Sequence, residues 1–235
     1  MDSLNLKTGH GVAAKQAPPP TAAQQVYEQL RAHLLDASYQ PGEKLRIKEL
    51  VERYGCGSFP VREALNRLTA ESLVTYSNQR GFSVAPISAE ELIDITQARS
   101  WIVALAMEKA MQLGDEKWEE QVMLSYYRLS KVSRYTGPDQ ARLNPDYDRI
   151  HRDFHSALIA GCGSRKMVDI SEDLFDQADR YRSLSRSLVP VPREDEHKLI
   201  LEAVLERRVE EAVRLCVQHF ERTAELAIQQ LRLKE

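Results

Sequence analysis

Apolar residues recur along the chain mainly at three- and four-residue intervals, which is the period of helices with one buried face. Thr21 is placed to cap the first of three N-terminal helices. Pro41-Gly42 separates the first helix from the second, and Gly55 ends the second. Gly57-Ser58 begins the third, with Pro60 in its first turn, where a missing N–H does no harm. The predicted buried positions are Val26, Tyr27, Leu30 and Leu34, then Ile47, Leu50, Val51 and Tyr54, then Val61, Ala64, Leu65 and Leu68.

Two short β-type runs follow the third helix. Leu73–Tyr76 and Phe82–Val84 are joined by a polar turn that ends in Arg80-Gly81. Three helices followed by a hairpin predict a winged helix-turn-helix over residues 21–86. Residues 1–20, with two glycines and a run of three prolines, read as a flexible tail.

Such a module places its third helix in a major groove and its hairpin tip near the minor groove or the backbone. Arg62 is expected to contact a phosphate or a guanine, and Lys48 and Arg80 to contact phosphates. Phe59 has two interpretations, contact with a thymine methyl or packing against the wing. The candidate DNA-binding residues are Lys48, Ser58, Phe59, Arg62, Asn66, Arg80 and Gly81.

The remainder, residues 87–235, predicts an all-helical antiparallel bundle. Its most informative residues are histidines on three helices. His151 and His155 lie one turn apart, and His197 and His219 each lie roughly ten residues from a polar bend at Arg208, about 15 Å at the helical rise. If the last two helices form an antiparallel hairpin, all four imidazoles point to one interior spot.

Converging neutral imidazoles are suited to a divalent metal, with zinc as the first expectation and nickel as the second. The alternative is that each histidine is a core residue bonded to a nearby carboxylate. Asp148, one turn before His151, is a possible ligand or a residue that orients His151.

A charged residue, Arg99, falls on the inner face of the first long helix of this domain, which opens with the capping box Ser88–Glu91. One interpretation is a clamp for an anion beside the metal, and the other is a structural salt bridge. Tyr181 is a candidate residue of the same pocket, whereas Arg180 is expected at the surface. In their helix, the expected inner positions are Met167, Ile170, Leu174 and Ala178.

Charge is compatible with DNA binding without being diagnostic. The net charge is −3, divided into +2 up to Pro86 and −5 beyond it. Cys56, Cys162 and Cys216 show no paired spacing, which suits a reducing compartment. No apolar run has the length of a membrane span and the first residues do not form a signal peptide, so we expect a cytoplasmic protein without membrane association.

Several motifs resemble the DNA-binding domain of GntR-family bacterial transcription factors, and the second half resembles the FCD effector domain of the FadR branch. The motifs are Pro41-Gly42-Glu43-Lys44-Leu45, Pro60-Val61-Arg62-Glu63-Ala64-Leu65, Glu71-Ser72-Leu73-Val74 and Arg80-Gly81-Phe82-Ser83-Val84, with Phe154-His155, His197 and His219 in the second half. The resemblance implies a homodimer on a short pseudo-palindromic operator that responds to a small carboxylate. It further implies that residues 87–235 are the metal- and ligand-binding effector and dimerisation domain, with Arg99 and Tyr181 as the candidate effector-binding residues. It also implies a metal held by one aspartate and three histidines.

Two departures from the family pattern are visible. By position, the family histidines correspond to His155, His197 and His219, but His151 stands where the family has aspartate. Gly57 and Ser58 replace the usual serine and arginine before the recognition helix, so a base contact is lost although Ser58 is able to cap the helix.

We therefore expect a metal-containing, ligand-responsive transcriptional regulator. One alternative is a metal-dependent hydrolase or lyase that uses the same histidines. Against it, His151 lacks the adjacent glutamate that serves as base in zinc proteases, and no nucleophile motif is present. Another alternative is a sensor whose DNA-reading head is weakened at Gly57 and Ser58.

Overall fold

The structure is a computed structural model that describes residues 19–136, 142–185 and 196–232. The N-terminal module contains three helices and an antiparallel hairpin: α1 (Ala22–Leu35), α2 (Ile47–Tyr54), α3 (Ser58–Ala70), β1 (Val74–Ser77) and β2 (Gly81–Val84). In the hairpin Val74 pairs with Val84, and Ser77 with Gly81. This arrangement confirms the predicted winged helix-turn-helix.

Local chemistry explains where these helices begin and end. The Thr21 hydroxyl accepts the Gln24 backbone N–H at 3.2 Å and so caps α1. Gly55 ends α2 with a left-handed φ of 62°, a conformation that glycine adopts at no steric cost. The predicted capping role of Ser58 is wrong: Gly57 is the N-cap of α3, Ser58 is its first helical residue, and no side chain caps it. Leu30, Leu34, Leu65 and Leu68 are fully buried between the helices.

The C-terminal domain is a helical bundle: α4 (Ala89–Leu113), α5 (Glu116–Lys131), α6 (Pro145–Ala160), α7 (Arg165–Ser185), α8 (Glu196–Leu205) and α9 (Val209–Arg232). The Ser88 side chain caps α4 through the Glu91 N–H at 3.1 Å. Two-residue strands β3 (Tyr135–Thr136) and β4 (Arg142–Leu143), which the sequence did not predict, pair before α6. The main core joins α4, α5, α6, α8 and α9 through residues such as Met107, Val122, Phe154, Ile200 and Cys216.

The mainly helical fold class is confirmed, but the expected inner face of α7 is partly wrong. Ile170 is 38% exposed, and Phe175, Asp176 and Tyr181 are buried instead. Arg180 is also buried and donates to the carbonyl oxygens of Ala85 and Pro86, so its prediction as a surface charge is wrong. The apolar period fails on α7 because this helix packs against two domains and buries ionic groups at the junction.

Two further expectations concern the tail and the membrane. The tail predicted over residues 1–20 lies, apart from Pro19 and Pro20, outside the described residues. Within the described ranges, no helix combines the length and the apolar character that crossing a membrane requires.

Candidate functional site

Three helices bring four histidines to one place in the bundle. His151 and His155 come from α6, His197 from α8 and His219 from α9, and each is between 3% and 9% exposed. One nitrogen from each ring lies within 4.8 Å of those of the other three. The Nε2 atom of His151 is 3.0 Å from that of His197 and 3.2 Å from that of His155.

This spacing fits a metal shell. Nitrogens about 2.0–2.1 Å from a tetrahedral zinc lie about 3.3 Å from one another, close to the two distances from His151 Nε2 to its neighbours. His219 Nδ1 bonds Glu196 Oε2 at 2.7 Å, the carboxylate contact that fixes the tautomer and ring orientation of a ligating histidine. His155 Nδ1 is buried and has no hydrogen-bond partner among the described residues. The donor set can therefore hold a divalent cation that accepts nitrogen ligands.

The protonation states suit the same use. Burial lowers the pKa of His151 and of His155 well below the usual value of 6.5. The positive charge of Arg182 adds to the effect on the pKa of His151, and His219 adds to it for His155. Both rings are consequently neutral at pH 7, and a neutral imidazole offers a lone pair to a metal without first losing a proton.

A contact with Arg182 constrains the tautomer of His151. Arg182 Nη1 lies 3.3 Å from His151 Nδ1, and a guanidinium can only donate. In this contact Nδ1 must accept, so the proton of neutral His151 sits on Nε2. Metal coordination through Nε2 requires the other tautomer and thus the loss of this contact. Asp148 Oδ1 also accepts from Arg182, at 3.0 Å, which ties both candidate fourth ligands to one arginine.

Arg99 lies beside the histidines on the inner face of α4. Its Cζ is 3.6 Å from the Phe220 ring centre and 4.6 Å from that of Phe175. Its Nε is buried and has no hydrogen-bond partner in the part of the chain that the structure describes. Burial lowers the pKa of Arg99 to about 10, so the group still carries its charge at pH 7. The structural salt bridge finds no support, since no carboxylate in the described ranges forms an ion pair with Arg99. A buried cation with an unmet donor is suited to an anion.

A small cavity lies between Arg99 and two of the histidines, His151 and His219. It has a volume of about 30 Å³, room for about one water molecule, so a carboxylate must displace side chains to enter. Its lining consists of Arg99, His151, Phe175, Ala178, Asp179, Arg182, His219, Phe220 and Thr223. Tyr181 does not line it: the Tyr181 hydroxyl donates to Glu91 and accepts from the Ser88 N–H, at the start of α4.

A larger groove of about 240 Å³ opens between α4 and α9. Glu221 and Glu225 are among its lining residues, and their negative charge disfavours a carboxylate. The smaller cavity beside Arg99 is thus better suited to an anionic effector.

The candidate DNA-binding residues form an accessible surface. Six of the seven are exposed, namely Lys48, Ser58, Phe59, Arg62, Asn66 and Arg80, and Gly81 is half-buried at the hairpin. Phe59 is 75% exposed, which does not support packing against the wing. Gly81 has a φ of 74°, which suits its place in the tight turn between the strands. Recognition helix and hairpin tip thus present polar groups outward from one module.

Sequence reasoning missed two residues of the histidine site, Arg182 and Glu196. Glu196 lies twelve residues before Arg208, and His219 lies eleven residues after it. In an antiparallel α8–α9 hairpin with its bend at Arg208, these near-equal distances place Glu196 opposite His219, so the sequence contained a signal for this pair. Arg182 reaches His151 from α7, and the apolar period of α7 gave no signal for it.

A winged helix-turn-helix followed by a helical bundle with a buried polar cavity is the architecture of a DNA-binding regulator with an attached effector domain. Comparison with protein families agrees. Residues 22–84 match the bacterial regulatory proteins of the gntR family, and residues 94–222 match the FCD domain.

Known proteins show the same relationship. The chain is 38% identical over 199 residues to the HTH-type transcriptional repressor GlaR of Escherichia coli strain K12, covering 82% of this chain and 90% of GlaR. It is 33% identical to the HTH-type transcriptional regulator BphR of Paraburkholderia xenovorans strain LB400, over 83% of this chain and 80% of BphR. The solved structure of E. coli McbR/YncC shares the fold, with a TM-score of 0.74, 18% identity and coverage of 91% of this chain and 100% of McbR.

The chain belongs to the GntR family and is a bacterial DNA-binding transcriptional regulator with an FCD effector domain. This confirms the family resemblance. The hydrolase or lyase alternative is set aside, because the family and these relatives are transcriptional regulators and not enzymes.

Proposed function

We propose that the FCD domain of this regulator binds one divalent metal ion and a small carboxylate effector, and that the effector controls operator binding. The observation that carries the proposal is the juxtaposition of four buried histidines with a buried arginine, Arg99, that has an unmet donor. Histidines without an anion site would suit a purely structural metal, and an arginine without histidines would suit a simple anion pocket. The two together favour an anion bound next to a cation.

In this proposal His155, His197 and His219 hold the metal. His151 or Asp148 completes the set, depending on which of them Arg182 releases. The metal supplies a fixed positive charge to which a carboxylate oxygen binds. Zinc is the first candidate and nickel the second, since both accept imidazole nitrogen.

Arg99 provides the second anchor. The Phe175 and Phe220 rings hold the guanidinium next to the cavity, and its planar fork is able to pair with both oxygens of a carboxylate. Because the cavity is small, entry of the effector must move the side chains of its wall, and this movement is the start of the regulatory signal.

A thermal-shift screen of small carboxylates on the zinc-loaded protein tests this function. A true effector raises the melting temperature of the parent, and Arg99→Gln loses that increase. Arg165→Gln removes the same charge from an exposed position on α7 and should keep it. Equal stabilisation of parent and Arg99→Gln would show that Arg99 does not bind the effector.

The homodimer is also part of the proposal, because a symmetric operator needs two reading heads. Ile93, Gln97, Trp101 and Leu105 are spaced four residues apart on the exposed face of α4, with Trp101 68% and Leu105 48% exposed. Ile93 also borders the α4–α9 groove, so apolar surface continues into a concave site. Analytical ultracentrifugation, which measures the oligomeric state, tests this face. Leu105→Glu should be monomeric, whereas Met123→Glu, at an exposed position on α5, should remain dimeric. A dimeric Leu105→Glu protein would contradict a dimer interface on this face of α4.

The operator is expected to be a short pseudo-palindrome, with Arg62 and Asn66 near base edges and Lys48 and Arg80 on phosphates. A regulator of the chromosome acts in the bacterial cytoplasm, where we place this protein.

A further inference from the structure

A buried carboxylate connects the two domains. Asp176, on α7, is 3% exposed, and its two oxygens accept hydrogen bonds from Arg31 of α1 and from Arg152 of α6. Arg31 belongs to the DNA-binding module, whereas Arg152 directly follows His151 on the histidine helix. Since a buried carboxylate is tolerated only when it is paired, the positions of α1 and α6 both depend on this residue.

The connection continues to the recognition helix. Arg31 Nε donates to Glu71 Oε2 at 3.0 Å, and the Tyr27 hydroxyl donates to Glu71 Oε1 at 2.7 Å. Glu71 is the C-cap of α3, and its backbone N–H bonds the Arg67 carbonyl. We call Arg31, Glu71, Arg152 and Asp176 the junction cluster. It leads without interruption from α6 and α7 to the end of the DNA-reading helix.

The other end of the junction cluster touches the cavity wall. Phe175 directly precedes Asp176, and its ring centre is 5.9 Å from that of His151 and 6.0 Å from that of His155. The same ring lies against Arg99 and lines the cavity. Neighbouring residues of one helical turn therefore face the histidines on one side and the DNA-binding module on the other.

We propose that Asp176 couples the histidine cavity to the recognition helix, by holding Arg152 and Arg31 in one ionic cluster that passes movement of α7 on to Glu71. The coupling rests on the proposed function in one respect: the signal it transmits is metal or effector occupancy of the cavity. Two sites are coupled when both bias one shared element, and here that element is α7 with its contact to α1.

Asp173 provides a matched control. It lies one turn before Asp176 on α7 and is exposed. Partial burial raises the pKa of Asp173, and the negative charges of Glu71 and Asp176 add to this effect, so it lies in the field of the junction cluster. No described residue forms an ion pair with it. Asp173→Asn removes a charge of the same sign at the same place without breaking the connection.

Hydrogen exchange on the metal-free full chain tests the connection by itself. Asp176→Asn and Arg31→Gln should each speed amide exchange in α1 by about tenfold, and the double variant should be no faster than either single one. Asp173→Asn should match the parent. Additive effects of the two substitutions, or an equal effect of Asp173→Asn, overturn the proposal. Arg31→Gln sits at a partly exposed position and gives a second variant if Asp176→Asn does not fold.

Zinc alone then tests transmission. Zn²⁺ should change amide exchange in the last turn of α3, residues 67–71, in the parent and in Asp173→Asn. Asp176→Asn should bind Zn²⁺ with parental affinity in a chelator competition and show no change in α3. The proposed coupling is wrong if bound Zn²⁺ leaves amide exchange in α3 of the parent unchanged. It is also wrong if Zn²⁺ still changes amide exchange in α3 of Asp176→Asn. If the parent does not bind Zn²⁺, the proposed function is contradicted instead. The exchange rates of the metal-free single and double variants then test the ionic connection between α7 and α1 by themselves.

Discussion

His219 Nδ1 lies 2.7 Å from Glu196 Oε2, across the hairpin formed by α8 and α9. His219 is 3% exposed, so its imidazole is held in one orientation by packing and by this bond. With Nδ1 occupied by the carboxylate, the ring directs Nε2 into the histidine cluster. Glu196 also accepts from Arg222 at 2.6 Å, which holds its carboxylate in place.

Replacing Glu196 with glutamine should weaken zinc binding by about ten- to a hundredfold, because a neutral amide orients His219 less firmly and lowers its basicity. The measurement is a chelator competition that gives the zinc dissociation constant. Glu202→Gln, on the same helix and in a solvent-exposed pair with Lys198, is the matched control and should leave the constant unchanged. Parental affinity in Glu196→Gln would remove this residue from the site.

Acid should destabilise the metal-free protein. The pKa values of His151 and His155 are lowered in the folded state, so below about pH 6.5 the unfolded chain binds more protons than the folded chain. The stability is intact above pH 6.5 and falls as the pH drops below it, by about 1.4 kcal/mol per pH unit for each such histidine.

Denaturant melts at pH 7.5, 6.5 and 5.5 measure this effect. His155→Gln cannot be protonated and should show a shallower decline than the parent. A parent whose unfolding free energy is the same at pH 7.5 and 5.5 would contradict the buried neutral state of these rings.

Replacing Arg182 with glutamine should tighten zinc binding by about tenfold, because the substitution has two effects and both favour a bound cation. It removes a positive charge beside His151, and a glutamine carbonyl is able to accept from His151 Nδ1–H, the tautomer that coordinates through Nε2. Arg152→Gln removes a charge from the same helix as His151 without touching a ring nitrogen, and should change the affinity less. Weaker binding by Arg182→Gln than by the parent would show that Arg182 supports the metal site instead of competing with it.

On DNA, two exposed cations should behave differently. Arg62→Ala should cost about 1–3 kcal/mol on the preferred sequence and relax discrimination at one base pair, as expected for a contact to a base edge. Lys48→Ala should weaken binding to all sequences alike and reduce the slope of log affinity against log salt by about one. Fluorescence anisotropy at several salt concentrations separates the two. Identical profiles for both variants would leave Arg62 as a phosphate contact.

Local signals were sufficient to predict the helices of the fold and the hairpin of the DNA-binding module. The period of Leu30 and Leu34 in α1, the glycine that ends α2 and the capping Ser88 of α4 each depend on neighbours within one or two turns. The convergence of His197 and His219 followed from one added assumption, that a helical hairpin is antiparallel about its bend.

Local sequence patterns could not predict contacts between distant segments. Asp176 and Arg31 are 145 residues apart, and the helical period of α7 indicates only which face of the helix is apolar, not which residues it contacts. The period therefore placed Ile170 inside, whereas tertiary packing selected Phe175 and Asp176 for burial. The position of Tyr181 near the end of α7 predicts an effector-site residue, but its hydroxyl donates to Glu91 at the domain junction.

The central claim is that His155, His197 and His219 bind one metal ion together, with His151 or Asp148 as the fourth ligand. Metal content after equilibrium dialysis against Zn²⁺, determined by mass spectrometry, tests it most directly. We predict one zinc per chain in the parent and a large loss in His155→Ala and in His219→Ala, while His33→Ala, on α1, retains the parental value. A parent without zinc, or a His155→Ala protein that still carries one zinc per chain, would contradict the account.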